Sequence, residues 1–486
     1  MSNNTISSIF IVAFLSTLVI VGIVLQRRVK TASNFLTGGG NVGVILAAGM
    51  FCATFLSGSS IVGYTGYLYG SGWTGFTSIL GTAVSLFIVG AVLVKRIRPH
   101  AGRGMETIAD LLADRFGSQF VRGFSAVMMI LLYIIFTGAE TIGIAKVLSS
   151  FLGWNYYVAV LVAVGFTIAY IVLGGMYTVA VNDTICGFLG IGGILVLAIV
   201  CVAHWGGIGP MNTQLAAVDP NLLKTFANPL AIILVASNTA VWGIGNSSHP
   251  VFLAQTFSAK SSKSVLKSMA ISAIAIFVFY FSTMILGSSA RILVPGLADV
   301  DLAFPKLVDY MVHPVIGAIM LTAVIALIIS TIDSCLLTAG SALGNDLIAK
   351  TFGIWKDDER KRLLLVRVGV VAVALLGMVL ALIFNSSTVL IFQMFNFGAS
   401  GAVFWVPIVF GLCWKKANRQ GATASMVGGV AAYLIWFFTA YNTTGLHPVL
   451  PGTIVALLLM VIVSLSTAPT PKETLKHYFP DGAKLG

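Results

Sequence analysis

The run Ser330-Thr331-Ile332-Asp333-Ser334, continued by Thr338 and Ser341, sets hydroxyl and carboxylate oxygens into an otherwise apolar stretch. Such oxygens are hard ligands, suited to a small hard cation such as Na⁺ and indifferent to soft metals. Spacings of three and four bring Ser330, Asp333, Ser334 and Thr338 close to one helical face. An Asp in hydrocarbon costs about 2.5–3.5 kcal/mol on insertion scales, so it ordinarily has a task or a partner. A structural hydrogen bond or an internal ion pair is the plainer alternative.

Two further acids lie in apolar surroundings. Asp183 closes the run from Gly174-Gly175 to Asn182, and either serves a site or caps a helix N-terminus. Glu140, in Phe136-Thr137-Gly138-Ala139-Glu140-Thr141, either meets a solute or ion or makes a structural bond. Lys146, six residues on, does not reach it along a straight helix. Hydroxyls and glycines gather in Ala53-Thr54-Phe55-Leu56-Ser57-Gly58-Ser59-Ser60, with Gly63, Gly66, Gly70 and Gly72 beyond. That composition suits a helix that opens in the membrane, or simple packing through small residues. A third polar cluster, Ser237-Asn238-Thr239 and Trp242 to Pro250, offers Asn246 for hydrogen bonding and Trp242 as either an apolar wall against a solute or an anchor at the membrane interface. His249, without a second soft ligand at matching spacing, reads as a hydrogen-bonded structural histidine.

These residues must be held by helices in a bilayer. Of 486 residues, 58% are apolar and 9% charged, with a mean hydropathy of +0.98; soluble domains carry about 25% charged residues. Thirteen segments are long and apolar enough to span: 7–26, 44–70, 74–94, 123–150, 155–174, 184–204, 229–250, 269–290, 314–345, 364–384, 388–413, 422–440 and 450–467. The first lacks the flanks of a signal peptide and reads as a retained helix. The net charge of +12 sits in short clusters between apolar runs, which argues against nucleic acid as a partner. With the N-terminus outside, Arg27, Arg28, Lys30, Lys95 to Arg122, Lys260 to Lys267, Lys350 to Arg367, Lys415 to Arg419 and Lys472 to Lys484 fall inside. Lys224, Arg291 and Lys306 are the main exceptions, so the positive-inside rule supports that orientation, with the C-terminus inside. Gly104 to Gly117 reads as a helix lying at the interface, and the outer stretches His204 to Thr225 and Leu293 to His313 each have room for a short helix. The five cysteines, without metal or disulfide spacing, read as buried thiols.

The chain resembles the sodium:solute symporter family over roughly residues 8 to 467. The marks are Gly174-Gly175 through Asp183, Ser330-Thr331-Ile332-Asp333-Ser334 running on to Asn345-Asp346-Leu347, Ser57-Gly58 with its glycine-rich tract, and Trp242-Gly243-Ile244-Gly245. The resemblance implies an all-α polytopic membrane protein with the five-plus-five inverted repeat of the bacterial leucine transporter. Residues 1–40 would form an extra N-terminal helix and linker, 41–204 and 226–414 the two repeats, and 415–486 two peripheral helices and a cytoplasmic tail, all within one transporter domain. It further implies a Na⁺ site from backbone carbonyls of Ala53, Leu56 and Leu327 with the hydroxyls of Ser330 and Thr331. Asp183 and Ser334 match a second cation site seen in some members, where Asp333 adds a carboxylate. Solute positions in relatives fall here on Ser57, Ser59, Ser60, Glu140, Trp242 and Asn246. Proline transporters of the family carry an aromatic residue where Asn246 stands and an acid where Phe55 stands, which argues against proline. Glu140 would suit a solute with an amine.

The expectation is therefore a Na⁺-coupled symporter, taking one or two Na⁺ with a small polar organic solute such as an amino acid, organic acid or sugar-like molecule. It would sit as a multi-pass protein in a plasma membrane, read as a bacterial inner membrane, with lipid and solute as its partners and no obligate protein partner. A proton-coupled symporter using Asp333, Asp183 or Glu140 is the rival within transport. An ion channel lacks a repeated filter motif, a receptor or sensor lacks a signalling domain, and an enzyme lacks a paired base and nucleophile.

Overall fold

The structure, a computed structural model, describes residues 3–28, 31–77, 79–226, 229–385 and 389–479. Lys30, Thr388 and Lys484, used above for orientation or span limits, lie outside the described residues. Among the described residues the regular secondary structure is all helix, apart from one isolated bridge pairing Val42 with Ala259.

The first apolar run forms α1 (Asn3–Leu25). A bent pair follows, α2 (Val44–Phe55) and α3 (Ser59–Phe76), whose axes differ by 53°. Next come α4 (Ile79–Ala101), α5 (Ile108–Phe116) and α6 (Gln119–Leu152). Thr107 and Ser118 cap the last two, each accepting from an amide of the first turn. The 50-residue run α7 (Tyr156–Trp205) turns at Gly175, whose φ of 58° and ψ of −163° no side-chain-bearing residue adopts readily. A Cβ there would also lie 2.9 Å from Phe35 O.

The second half of the chain opens with α8 (Ile208–Val218) and α9 (Pro229–Ala240), which loosens into a π-helical turn at Val241–Gly245. Beyond Pro250 lie α10 (Pro250–Ser258) and α11 (Ser262–Leu293), then α12 (Ala303–Met311). The central helix α13 (Pro314–Thr351) is buried at every residue from Met320 to Ala342. It is surrounded by α1, α6, α7 and α14 (Glu359–Ile383). The chain closes with α15 (Val389–Cys413), α16 (Arg419–Thr439), α17 (Val449–Ser466) and the short α18 (Lys472–Tyr478).

Ten of these helices are long and apolar enough to cross a bilayer, or eleven with the bent pair as one span. Two of the thirteen expected segments stand apart for local reasons. Segment 155–174 is the shorter apolar part of α7, on the near side of Gly175, and segment 229–250 is interrupted by the π-helical turn and by Pro250. The chain is a multi-pass, all-α membrane protein.

One expectation, the burial of all five thiols, needs correction. Helix α5 forms where expected, and it packs into protein. Its Arg115 is buried, donating Nε to Gly411 O at 2.5 Å and Nη2 to Ala417 O at 3.1 Å, because those carbonyls at the end of α15 need donors. Burial pulls that guanidinium down to about 10. Of the five thiols, Cys52, Cys186, Cys201 and Cys335 are buried but Cys413, in the last turn of α15, is exposed.

Candidate functional site

The break between α2 and α3 gathers the polar residues of the second apolar segment. Leu56 leaves the helical region, with φ −104° and ψ 78°. The amides of Ser60 and Ile61 both turn to Ser57 O, at 3.0 and 3.1 Å. The N–H that a continuous helix would aim at Leu56 O is thus spent one residue on. Backbone groups freed inside a membrane need side-chain partners, and Glu140 of α6 meets two of them. Its Oε2 accepts from Gly58 N at 2.6 Å and its Oε1 from Ser59 N at 3.4 Å. Gln393 of α15 donates Nε2 to Oε1 at 2.7 Å. Glu140 therefore caps the positive N-terminal end of α3, whereas Lys146 goes elsewhere. Only glycine fits at position 58: a Cβ would lie 2.6 Å from Glu140 Oε2 and 2.9 Å from Ile328.

At the other lip of the break, the carbonyl end of α2 meets α13. Thr331 Oγ1 lies 2.7 Å from Ala53 O and 3.1 Å from Leu327 O, and Ser330 Oγ donates to Leu327 O at 2.9 Å. Leu56 sits one turn beyond Ala53, and all five residues are buried. This is a set of hard oxygens at the negative end of a half-helix, the environment a small cation prefers.

Asp183 of α7 and Asp333 of α13 are in hydrogen-bonding contact and fully buried. Ser334 Oγ donates to Asp183 Oδ2 at 3.3 Å. Asp183 stands two turns beyond the bend at Gly175, well inside its helix, so it is not a first-turn cap. Asp183 Oδ1 and both side-chain polar atoms of the adjacent Asn182 have no hydrogen-bond partner among the described residues. Two carboxylates side by side in a dry interior cannot both carry charge without a cation or a proton between them.

Beside the break lies a cavity of about 10 Å³, the space of roughly one water. Ser59, Ser60 and Trp242 line it as the sequence led one to expect, joined by Tyr64, Thr82 and Tyr280. Ser60 Oγ donates to Phe55 O at 2.9 Å and lies 3.2 Å from Tyr280 OH. Ser57 and Glu140 stand one layer behind, Ser57 Oγ being 2.6 Å from Ser59 Oγ. Asn246 is buried but is not a lining residue. His249 is a structural histidine, with Nε2 2.9 Å from Asn396 Oδ1 and Nδ1 3.5 Å from Tyr133 OH. Sequence reasoning missed Tyr64, Thr82, Tyr280 and Gln393. For Gln393 a signal existed, a lone amide within Ile391-Phe392-Gln393-Met394-Phe395; the tyrosines look like any aromatic in an apolar run.

Ion pairs brace both ends of α6. Near its C-terminal end Lys146 meets Asp299 at 2.9 Å and Asp301 at 2.8 Å, and Asp301 Oδ2 also accepts from Val389 N at 3.1 Å. Burial pushes the Asp301 carboxyl up, with the Lys146 ammonium opposing it. Near the N-terminal end, Arg122 reaches Asp110 at 3.8 Å, Asp110 pairs with Lys350 at 2.7 Å, Glu106 with Arg362 at 3.1 Å, and Thr107 Oγ1 donates to Asp346 Oδ1 at 3.0 Å. A second small cavity, of about 20 Å³, opens there beside Glu106, Met176, Thr338 and Ser341.

The sequence profile of the Sodium:solute symporter family matches residues 35–429. The osmoregulated proline transporter OpuE of Bacillus subtilis (strain 168) is 24% identical over 470 residues, covering 95% of each chain. The sodium/pantothenate symporter of Escherichia coli (strain K12) is 28% identical over 481 residues, 96% of this chain and 97% of that one. Among solved structures, a Na⁺-coupled sialic acid symporter in a substrate-bound, outward-open state shares the fold with a TM-score of 0.83, at 19% identity over 96% of this chain and 99% of that one.

Proposed function

The chain belongs to the sodium:solute symporter family, and we propose that it carries Na⁺ and its solute by alternating access about the break between α2 and α3. It is a secondary active transporter that couples Na⁺ to symport of a small polar solute, and not an enzyme. Na⁺ binds where the carbonyl end of α2 meets α13, at Ala53, Leu56 and Leu327 through carbonyls and at Ser330 and Thr331 through hydroxyls. One observation carries this reading: Thr331 Oγ1, Ala53 O and Leu327 O converge within 3.1 Å across two helices. An ion there ties α2 to α13 and favours the conformation in which the solute seat beside Ser59, Ser60 and Trp242 is closed.

The experiment is thermal unfolding of the purified protein in NaCl and in KCl at equal ionic strength. Stabilisation by Na⁺ that is lost in Ser330→Ala and Thr331→Ala supports the site. Equal melting in both salts, or Na⁺ stabilisation untouched by the variants, refutes it.

A second cation, at Asp183, Asp333 and Ser334, gives a stoichiometry of two Na⁺ per solute. Each ion entering down a potential of about 100 mV releases about 2.3 kcal/mol, so two concentrate solute more steeply than one. A second reading rests on the same contact: a carboxyl pair sharing a proton would make this site a proton-coupling site. pH-dependent uptake without Na⁺ would select it.

The fold is read as thirteen spans, with five-plus-five inverted repeats in 41–204 and 226–414. The extra helix and linker of 1–40 and the two peripheral helices and tail of 415–486 complete a single domain. The N-terminus lies outside and the C-terminus inside a bacterial plasma membrane. Lys-scanning of the loops with an impermeant amine reagent tests that orientation.

A further inference from the structure

We propose that the solute is a small organic cation carrying an ammonium group, selected by Glu140 together with the rings of Tyr64, Trp242 and Tyr280. This rests on the symporter reading, in which the residues around the water-sized cavity beside the break form the solute's seat once it widens.

An anionic solute held in a membrane interior needs a basic side chain or unspent amide N–H groups at a half-helix N-terminus. Among the described residues, no Lys, Arg or His lines the cavity. The amides of the α3 N-terminus that would serve instead are already taken, Gly58 N and Ser59 N both donating to the Glu140 carboxylate. All the neighbours bonded to that carboxylate are donors: two backbone amides, the Gln393 amide and the Ser57 hydroxyl. A solute carboxylate at Ser59 would face Glu140 across a single residue, and like charges repel strongly where water is excluded. Lys146 offers no relief, being bound to Asp299 and Asp301.

What the cavity presents is aromatic. Tyr64 and Tyr280 meet edge to face with ring centroids 5.1 Å apart, and Trp242 supplies another wall. The Tyr280 hydroxyl, 3.2 Å from Ser60 Oγ, fixes that ring in place. Ring faces attract alkylammonium groups through their quadrupole, the more so when desolvated, and Glu140 adds a charge of the right sign behind Ser59. Ser59 and Thr82, among the lining residues, carry hydroxyls that suit one polar substituent on the solute.

The test is binding to the full-length purified protein by calorimetry, in NaCl and in KCl, with tetramethylammonium, 2-aminoethanol, isobutyrate and glycerol as probes. Na⁺-dependent binding of an ammonium probe, at least tenfold tighter than isobutyrate and glycerol, is expected. Trp242→Leu should weaken it about tenfold, and Glu140→Gln more. If Glu140→Gln does not fold, Trp242→Leu alone decides. Thermal stabilisation by Na⁺ is read in the same preparation. A protein that Na⁺ stabilises but that binds isobutyrate or glycerol as well as ammonium, or binds no ammonium probe, overturns this inference and leaves the symporter reading standing. A protein indifferent to Na⁺ overturns both.

Discussion

Thr331 on α13 and Ala53 on α2 lie 278 residues apart in the chain, yet the hydroxyl of one is 2.7 Å from the carbonyl of the other. That contact sits where a helix has been opened, so its carbonyl is available for an ion at no further cost in helix structure. Thr331→Ala removes one neutral hydrogen bond, worth about 1 kcal/mol, and, on the proposed reading, one ion ligand. The expected outcome is a small change in melting without Na⁺ and at least a tenfold loss of apparent Na⁺ affinity, measured by Na⁺ titration of the melting temperature.

Gly58→Ala places a methyl 2.6 Å from Glu140 Oε2 and 2.9 Å from Ile328. The carboxylate has to leave the α3 N-terminus or the break has to widen. Overpacking of this kind costs about 1–3 kcal/mol, and solute uptake should be lost in protein that still inserts and folds. Uptake at the wild-type rate would show that the cap is dispensable.

Lys146→Met leaves Asp301 buried without its partner, a change that costs about 3–5 kcal/mol. Burial already raises the Asp301 pKa in the fold, and Lys146 restrains the rise. A raised carboxyl pKa means the folded protein holds its proton more tightly than the unfolded chain does. Stability from this group is therefore greatest below the unfolded value and falls as pH climbs through the folded one. The variant's deficit should be large at neutral pH and partly recovered toward about pH 5; a deficit constant across that range contradicts the assignment.

Asp183→Asn and Asp333→Asn each replace one carboxyl of the buried pair by an amide. With a second cation there, the Hill slope of Na⁺-driven uptake should fall from near two to near one in both variants. If the pair carries a proton instead, the slope stays put and the pH dependence of uptake changes.

Legibility followed how far apart the partners lie. The long helices could be read because an apolar run of bilayer length has few other folds, and Ser330 and Thr331 stood out as hydroxyls in such a run. The turn at Gly175 could not be read as one helical run, since hydropathy simply dips there. Glu140 was conspicuous as an acid in hydrocarbon, but its role was hidden because Gln393 and Gly58 approach it from 253 and 82 residues away. Asn246 is as polar as Ser60, yet only Ser60 borders the cavity; periodicity gives no face to a helix interrupted by a π-helical turn.

The central claim is tested most directly by solute accumulation in proteoliposomes under an imposed inward Na⁺ gradient, with the solute found by the binding screen. The account predicts accumulation that requires Na⁺, is not supported by K⁺ or by a pH gradient, and is abolished in the Ser330→Ala, Thr331→Ala double variant. Accumulation driven by a pH gradient without Na⁺, or undiminished in that variant, would contradict it.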